Sequence, residues 1–383
     1  MIKRFKKHIS ISLIITISFL FTGCWDYKDL NEKSIIITIG VDTDDDDIVF
    51  TGEVLKSNYR ISTEQGNPKT EQGTYTYMGR GSSFEEARLD YDSKSSFNEF
   101  YGGLRSLVFS EKYARERGIE TYLNRFNLSY NYRKSTSVCI TREPCNQLLS
   151  RKLTNNISVG LDIDNTLRYL ADTGEGLYIQ VGEIISKLED KSIGYLIPYI
   201  GVESDTIVLL GYAVMENNKL IDIIPVKNAQ GIVYLLGKKP KLQLAIPKPS
   251  DPSNRISYEN ELKNKKIKTY YKDNTPIIDI NINLVSNIKY QYIRKSISKE
   301  EIKNIEFKIE EATKKQIEDI IEKSQKQYKE DFLGFGNYFR GQNYSIYKNI
   351  DWKKEYLKAK VNVNVKTKVL YTNLNDPNSE VKN

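Results

Sequence analysis

Histidine is almost missing from this chain: His8 is the only one, and it lies in the extreme N-terminal segment. That scarcity removes Ser-His-Asp and Cys-His nucleophilic schemes and His-ligated zinc or iron sites. Cysteine is scarce too, with Cys24, Cys139 and Cys145 alone. A Cys139–Cys145 disulfide would close a very small loop. Cys139 falls in a strand-like run and Cys145 at a helix start, which favours two free, buried thiols, with the bridge as the alternative. The chain also lacks a run long enough to span a bilayer. Its N-terminal apolar stretch, Ile9 to Phe21, has 13 residues, or ~20 Å of helix against a hydrocarbon core of ~30 Å. What survives for chemistry is carboxylates, lysine, tyrosine and serine. No pair of carboxylates stands out as a hydrolytic dyad. No catalytic residue, cofactor-binding residue or metal ligand is assigned, and the chain reads as a non-enzyme.

The N-terminus explains the first cysteine. Lys3, Arg4, Lys6 and Lys7 precede the apolar run, and Thr22-Gly23 follow it. A basic n-region, a short h-region and a small-residue site make a secretory leader. Where the mature chain would begin stands Cys24, and "Phe-Thr-Gly-Cys" resembles a bacterial lipobox. Cys24 is the expected lipidation site. An uncleaved anchor or a buried cysteine is the alternative. Without residues 1–23 the chain has 360 residues, and its net charge falls from +7 to +3 as four basic side chains leave. Scattered clusters such as "KNKKIK" (263–268) suit a solvated face better than a phosphate track, so no nucleic-acid partner is expected.

Mixed elements follow. "SIIITIGVD" (34–42) predicts a strand buried on both faces, and "TDDDD" (43–47) turns the chain into a hairpin with 48–55. Asp42 and Asp44 to Asp47 lack the glycine and distal glutamate of a calcium loop. Residues 56–73 predict a long loop and 74–79 a strand. Helices are predicted at 82–92, after Ser110 up to Gly118, and over 143–153, 164–174 and 181–190. From residue 193 onward strand-like runs dominate. "ENNK" (216–219) is a hairpin turn and 227–239 a helix. Strands are predicted at 241–246, 254–259, 264–271 and 277–285. The fold class is α+β, with mixed sheets and helices. The expected division is an N-terminal region, 24–200, of two subdomains, and a C-terminal domain, 201–383, whose antiparallel sheet packs around one long helix.

That helix, about 299–331, contains no glycine or proline and would be ~50 Å long. Ile302, Ile305, Ile309, Ala312, Ile320, Ser324, Tyr328 and Phe332 mark its apolar stripe. "EDFLGFGNYF" (330–339) must stop it. Asp331, Gly334 and Gly336 make a candidate structural motif there. Gly334 suits a left-handed helix cap and Gly336 a close backbone turn. Phe332, Phe335 and Phe339 either plug the helix end or form a partner-binding lip. A strand is predicted over 356–371.

Four stretches, in order, resemble the Ger(x)C family, the C-subunit lipoproteins of nutrient germination receptors in spore-forming bacteria. They are "GCWDYKDLNEKSIIITIGVD" (23–42), "LRSLVFSEKYARERGIETYLNRFNLSYNYRKSTSVCI" (104–140), "LLGYAVMENNKLIDIIPVKNAQGIVYLLG" (209–237) and "YKEDFLGFGNYF" with "WKKEYLKAKVNVNVKTKV" (328–339, 352–369). Where many relatives carry His-x-Lys, this chain has Gly103, Leu104 and Arg105. The resemblance implies a three-domain α+β protein without established catalytic activity or cofactor. It implies a lipid anchor on the outer face of the spore inner membrane and two integral-membrane receptor subunits as partners. Two rival readings are a solute-binding lipoprotein, which would need two alternating α/β lobes, and a wall hydrolase using two carboxylates.

Overall fold

The computed structural model describes residues 33–56, 73–128, 131–151, 157–293 and 297–370. Cys24 lies outside them, as does most of the predicted 56–73 loop. The chain opens with β1 (Lys33–Asp44), β2 (Asp47–Leu55), β3 (Thr74–Gly81), α1 (Phe84–Asp92), β4 (Asn98–Phe100) and β5 (Ser106–Ser110). Next come α2 (Glu111–Glu116), α3 (Glu120–Leu128), β6 (Ser137–Thr141), α4 (Cys145–Leu149), α5 (Val159–Asp172) and α6 (Val181–Leu188). Strands β7 (Tyr195–Glu203), β8 (Thr206–Glu216) and β9 (Lys219–Pro225) complete the first sheet.

Among the described residues that sheet has nine strands, ordered β3-β2-β1-β5-β6-β7-β8-β9, with β4 beside β1. Its centre, β1-β5-β6-β7, is parallel and its wings are antiparallel hairpins. Helices cover both faces, so the central strands read as continuous apolar runs. Leu107 and Phe109 face the larger core, whereas Val108 points to the other side with Cys139, Cys145 and Ile163. Both thiols are free and buried, and burial pushes them above the usual range. The sheet runs past residue 200, through Pro225.

The second unit consists of α7 (Gln230–Leu236), β10 (Lys241–Lys248), β11 (Asp251–Lys272), β12 (Thr275–Gln291), α8 (Lys299–Glu322), α9 (Phe335–Gln342), α10 (Tyr344–Tyr347), α11 (Trp352–Lys358) and β13 (Lys360–Leu370). Among the described residues its sheet has four strands, β10-β11-β12-β13, antiparallel except that β13 joins β12 in parallel. The long helix packs on it as expected. Glu310 and Glu306 on α8 accept from the edge amides of Thr367 (2.9 Å) and Val369 (2.8 Å), capping part of an otherwise open strand edge.

Several expected boundaries are corrected. Residues 254–259 and 264–271 belong to one 22-residue strand, with a register shift between Leu262 and Asn264 where a break is predicted. Pairing with β12, which continues from Ile256 to Lys272, holds the polar middle of β11 extended. The stripe of α8 runs through Thr313 and Ile317 rather than Ala312, because Asn260 bonds the Thr313 hydroxyl at 3.3 Å inside the core. Residues 352–358, in part predicted as strand, form a helix whose N-terminus Asp351 caps. Helix α5 starts at Val159 rather than 164, for a reason given by Glu53 below.

The end of the long helix differs most. The α-helix stops at Glu322 and continues as one π-helical turn, Lys323–Tyr328. Lys329, with φ 55°, ends it in the left-handed region. Ser324 anchors this wide turn. Its hydroxyl reaches the Glu330 carbonyl (2.6 Å) and the Tyr356 hydroxyl (2.7 Å). Gly334 is left-handed as expected, at φ 75°, but it precedes α9 instead of terminating α8.

Candidate functional site at the junction of the two sheets

The segment after the π-turn lies where the two sheets meet. Glu330 and Asp331 are each only 2 % exposed. Asp331 stands at the start of α9 and gathers N–H donors. Its Oδ1 accepts from the Phe335 amide at 3.0 Å, and its Oδ2 from the Gly336 amide at 2.6 Å and the Trp352 indole at 3.0 Å. The first two are orphan donors of a helix N-terminus, which favour an anionic acceptor. Burial nevertheless pushes the carboxyl up to about 7, against the pull of those three donors.

The two glycines serve different ends. A Cβ on Gly334 would meet only Asn337 Nδ2, at 3.5 Å, so its constraint is the positive φ. A Cβ on Gly336 would lie 2.5 Å from Trp352 Nε1 and 2.8 Å from Ile193 Cδ1, so its constraint is space. Gly336 thus lets the Trp352 ring settle against the helix start. The rings pile up there, with Phe339 and Trp352 centroids 5.0 Å apart and Trp352 and Tyr356 6.0 Å apart. Phe332, Phe335 and Phe339 are all buried. They form the plug, and none is presented as a lip to a partner.

Ionic contacts tie this plug to the first unit. Lys353 on α11 bridges Glu330 and Glu216, both at 2.5 Å, and Glu216 ends β8. The Lys353 bond holds the Glu216 carboxyl below the usual range, while burial pushes Glu330 up against the same lysine. Arg340 on α9 pairs with Asp190 at 2.7 Å, and the Tyr347 hydroxyl lies 3.0 Å from Ser192 Oγ. Gly231 of α7 packs directly on the backbone of Gln316 and Ile317. The contacts of Lys353 and Arg340 pin α11 and α9 to the end of the first sheet, and α7 holds α8 within the second unit.

Of the expected motif, the structure brings Asp331, Gly334 and Gly336 into one loop. Trp352, Lys353 and Glu216 complete the site and are not singled out by sequence reasoning. The signal available was slight: Trp352 is one of two tryptophans in the chain. Among the described residues no cluster of histidine, cysteine, aspartate or glutamate could hold a metal ion. The arrangement is suited to holding two units in register and offers no nucleophile with an adjacent base.

Comparison with known proteins places this architecture. Residues 26–202 match the family model "Spore germination protein N-terminal domain", and residues 210–373 match "Spore germination B3/GerAC like, C-terminal". Spore germination protein A3 of Bacillus subtilis (strain 168) is 25% identical over 281 residues, 69% of each chain. Spore germination protein B3 of the same organism is 20% identical over 346 residues, covering 88% of this chain and 90% of that one. The crystal structure of the GerBC protein shares the fold, with a TM-score of 0.57 and 15% identity over 87% of this chain and 96% of that one. The chain belongs to the Ger(x)C family of spore germination proteins.

Proposed function

We propose that this family member is the lipid-anchored, extracytoplasmic subunit of a nutrient germinant receptor. In this reading Cys24 carries the lipid and holds the protein on the outer face of the spore inner membrane. Two integral-membrane subunits are its partners, and its role is in assembly or signalling rather than catalysis. One observation carries the reading. Two germination-family matches follow one another along the chain, directly behind a basic leader ending in Gly23-Cys24. No helix among the described residues is long and apolar enough to cross a membrane, so attachment through the N-terminus would suit the rest of the chain. A single acyl chain binds a bilayer only marginally, whereas two hold stably, at ~0.8 kcal/mol per buried CH₂.

The test compares wild type with Cys24→Ala in sporulating cells fed a labelled fatty acid, followed by affinity isolation from detergent-solubilised spore membranes. The wild-type chain should take up label and bring down two integral-membrane subunits. The variant should lose the label. A variant that still incorporates label would defeat the anchor assignment. A labelled wild-type chain that retrieves no membrane subunit would defeat the receptor assignment.

A further inference from the structure

Beside the junction lies a cleft of different chemistry. It has a volume of ≈ 510 Å³ and opens between α5, α6 and the turn from α7 to β10. Its floor is apolar, built from the buried side chains of Leu177, Ile179 and Leu196. Volume and floor fall in the range of small-molecule sites. Lys187 of α6 lines this cleft and also the adjoining one of ≈ 660 Å³, which runs toward Asn337 and Arg340.

The charges around it are unevenly committed. Arg168, at the rim, is held by the Asp164 carboxylate and lies 4.5 Å over the Tyr178 ring. Arg340 is paired with Asp190. Lys187 is half-buried and, among the described residues, engages no carboxylate in an ion pair; Glu183, one turn back on α6, acts on it only at longer range. Burial consequently pushes its ammonium below the usual lysine range. Exposed Lys238 and Lys239 stand at the mouth, opposed by Asp172 and Glu183. A half-buried cation without a counter-ion, set over an apolar floor, lacks the partner that such a charge ordinarily has.

We propose that this cleft binds a small organic anion, a carboxylate on an apolar or aromatic body, with its charge on Lys187 Nζ and its body over Leu177, Ile179 and Leu196. The inference stands apart from the receptor reading, since it uses only the geometry of this cleft. Binding would supply the counter-ion and raise the Lys187 ammonium back toward the usual range.

The experiment uses the purified full chain in detergent, with 3-phenylpropionate as probe and the neutral 3-phenylpropanamide as control. Binding is followed by NMR of lysines labelled at Cε, the Lys187 resonance being identified by its loss in Lys187→Met. The acid should bind one site saturably, and the amide roughly tenfold more weakly. Lys187→Met should weaken the acid by about the same factor, whereas Lys187→Arg should retain it. The titration midpoint of Lys187 should rise when the acid is bound. Met keeps the apolar stem, so a thermal midpoint no lower than wild type confirms that the variant is folded. The proposal is overturned if the amide binds as well as the acid, if Lys187→Met binds undiminished, or if no saturable binding occurs below about 10 mM.

Discussion

Each unit of this protein buries a carboxylate at the start of a helix, and the two are built differently. In the first unit Glu53 of β2 is completely buried and takes five donors. They come from Thr38 of β1, from Thr74 of β3, from Ser158, and from the amides of Val159 and Gly160 at the head of α5. One side chain therefore fixes three neighbouring strands and a helix more than a hundred residues away. In the second unit Asp331 takes three donors, two of them from its own next turn, and only Trp352 comes from elsewhere. The first carboxylate organises long-range structure. The second organises a loop and seats one ring, and the ion pairs of Lys353 and Arg340 make the long-range connection around it. Saturation of the acceptors, more than burial, separates the two.

The sharpest way to break the comparison is to remove the saturated acid. Glu53→Ala should cost about 3–5 kcal/mol, since it leaves several buried donors without an acceptor. Urea unfolding of the variant checks it. A loss no larger than that of Asp331→Ala would mean that the extra donors contribute nothing.

Next comes the pH dependence of Asp331. Its folded-state carboxyl is raised to about 7, above an unfolded value of roughly 4. A raised acid favours the folded state when protonated. Its contribution is therefore complete below the unfolded pKa and is lost as pH climbs to about 7, with a limiting slope on the order of 1 kcal/mol per pH unit. Wild type should lose stability relative to Asp331→Asn between pH 4 and pH 7, within the ~3-unit window those values define. Glu330, raised in the same direction, is present in both chains and cancels in the difference. If the gap between the two chains is flat with pH, the three N–H donors keep Asp331 ionised throughout.

The smallest effects separate the two glycines. Gly336→Ala should cost ~1–3 kcal/mol by overpacking against Trp352. Gly334→Ala should cost about 1 kcal/mol through its positive φ alone, and Gly334→Asn less, because asparagine tolerates the left-handed region. Thermal midpoints of the four chains, with Trp352 fluorescence as a local probe, decide it. A cost for Gly334→Asn equal to that of Gly334→Ala would show that the positive φ is not the constraint at 334.

Local signals in this chain are legible at several caps and turns. Ser83 and Ser110 cap their helices through their hydroxyls, and Gly118 follows α2 with φ 76°. The acidic run turns the β1–β2 hairpin, with Asp44 opposite Asp47, and Asn217 turns β8 into β9. Capping and tight turns are contacts over three or four residues, so spacing is enough to find them. Thr313, in place of the expected Ala312, owes its position in the core to Asn260, which no periodicity can reveal.

The sequence by itself determined the α+β class, the long helix and the residues of the Asp331 loop. It did so because apolar period, caps and glycine are local properties of the chain. Only the tertiary structure decided where that helix ends, since Ser324 must meet Tyr356 and the backbone must widen into a π-turn to let it. It alone decided the early start of α5, because the helix head is drawn to Glu53 on a strand far back in the chain. It alone joined Glu216 to Glu330 through Lys353. A buried charge takes its partners from whatever the fold brings within about 3 Å, and that proximity exists only once the two sheets have met.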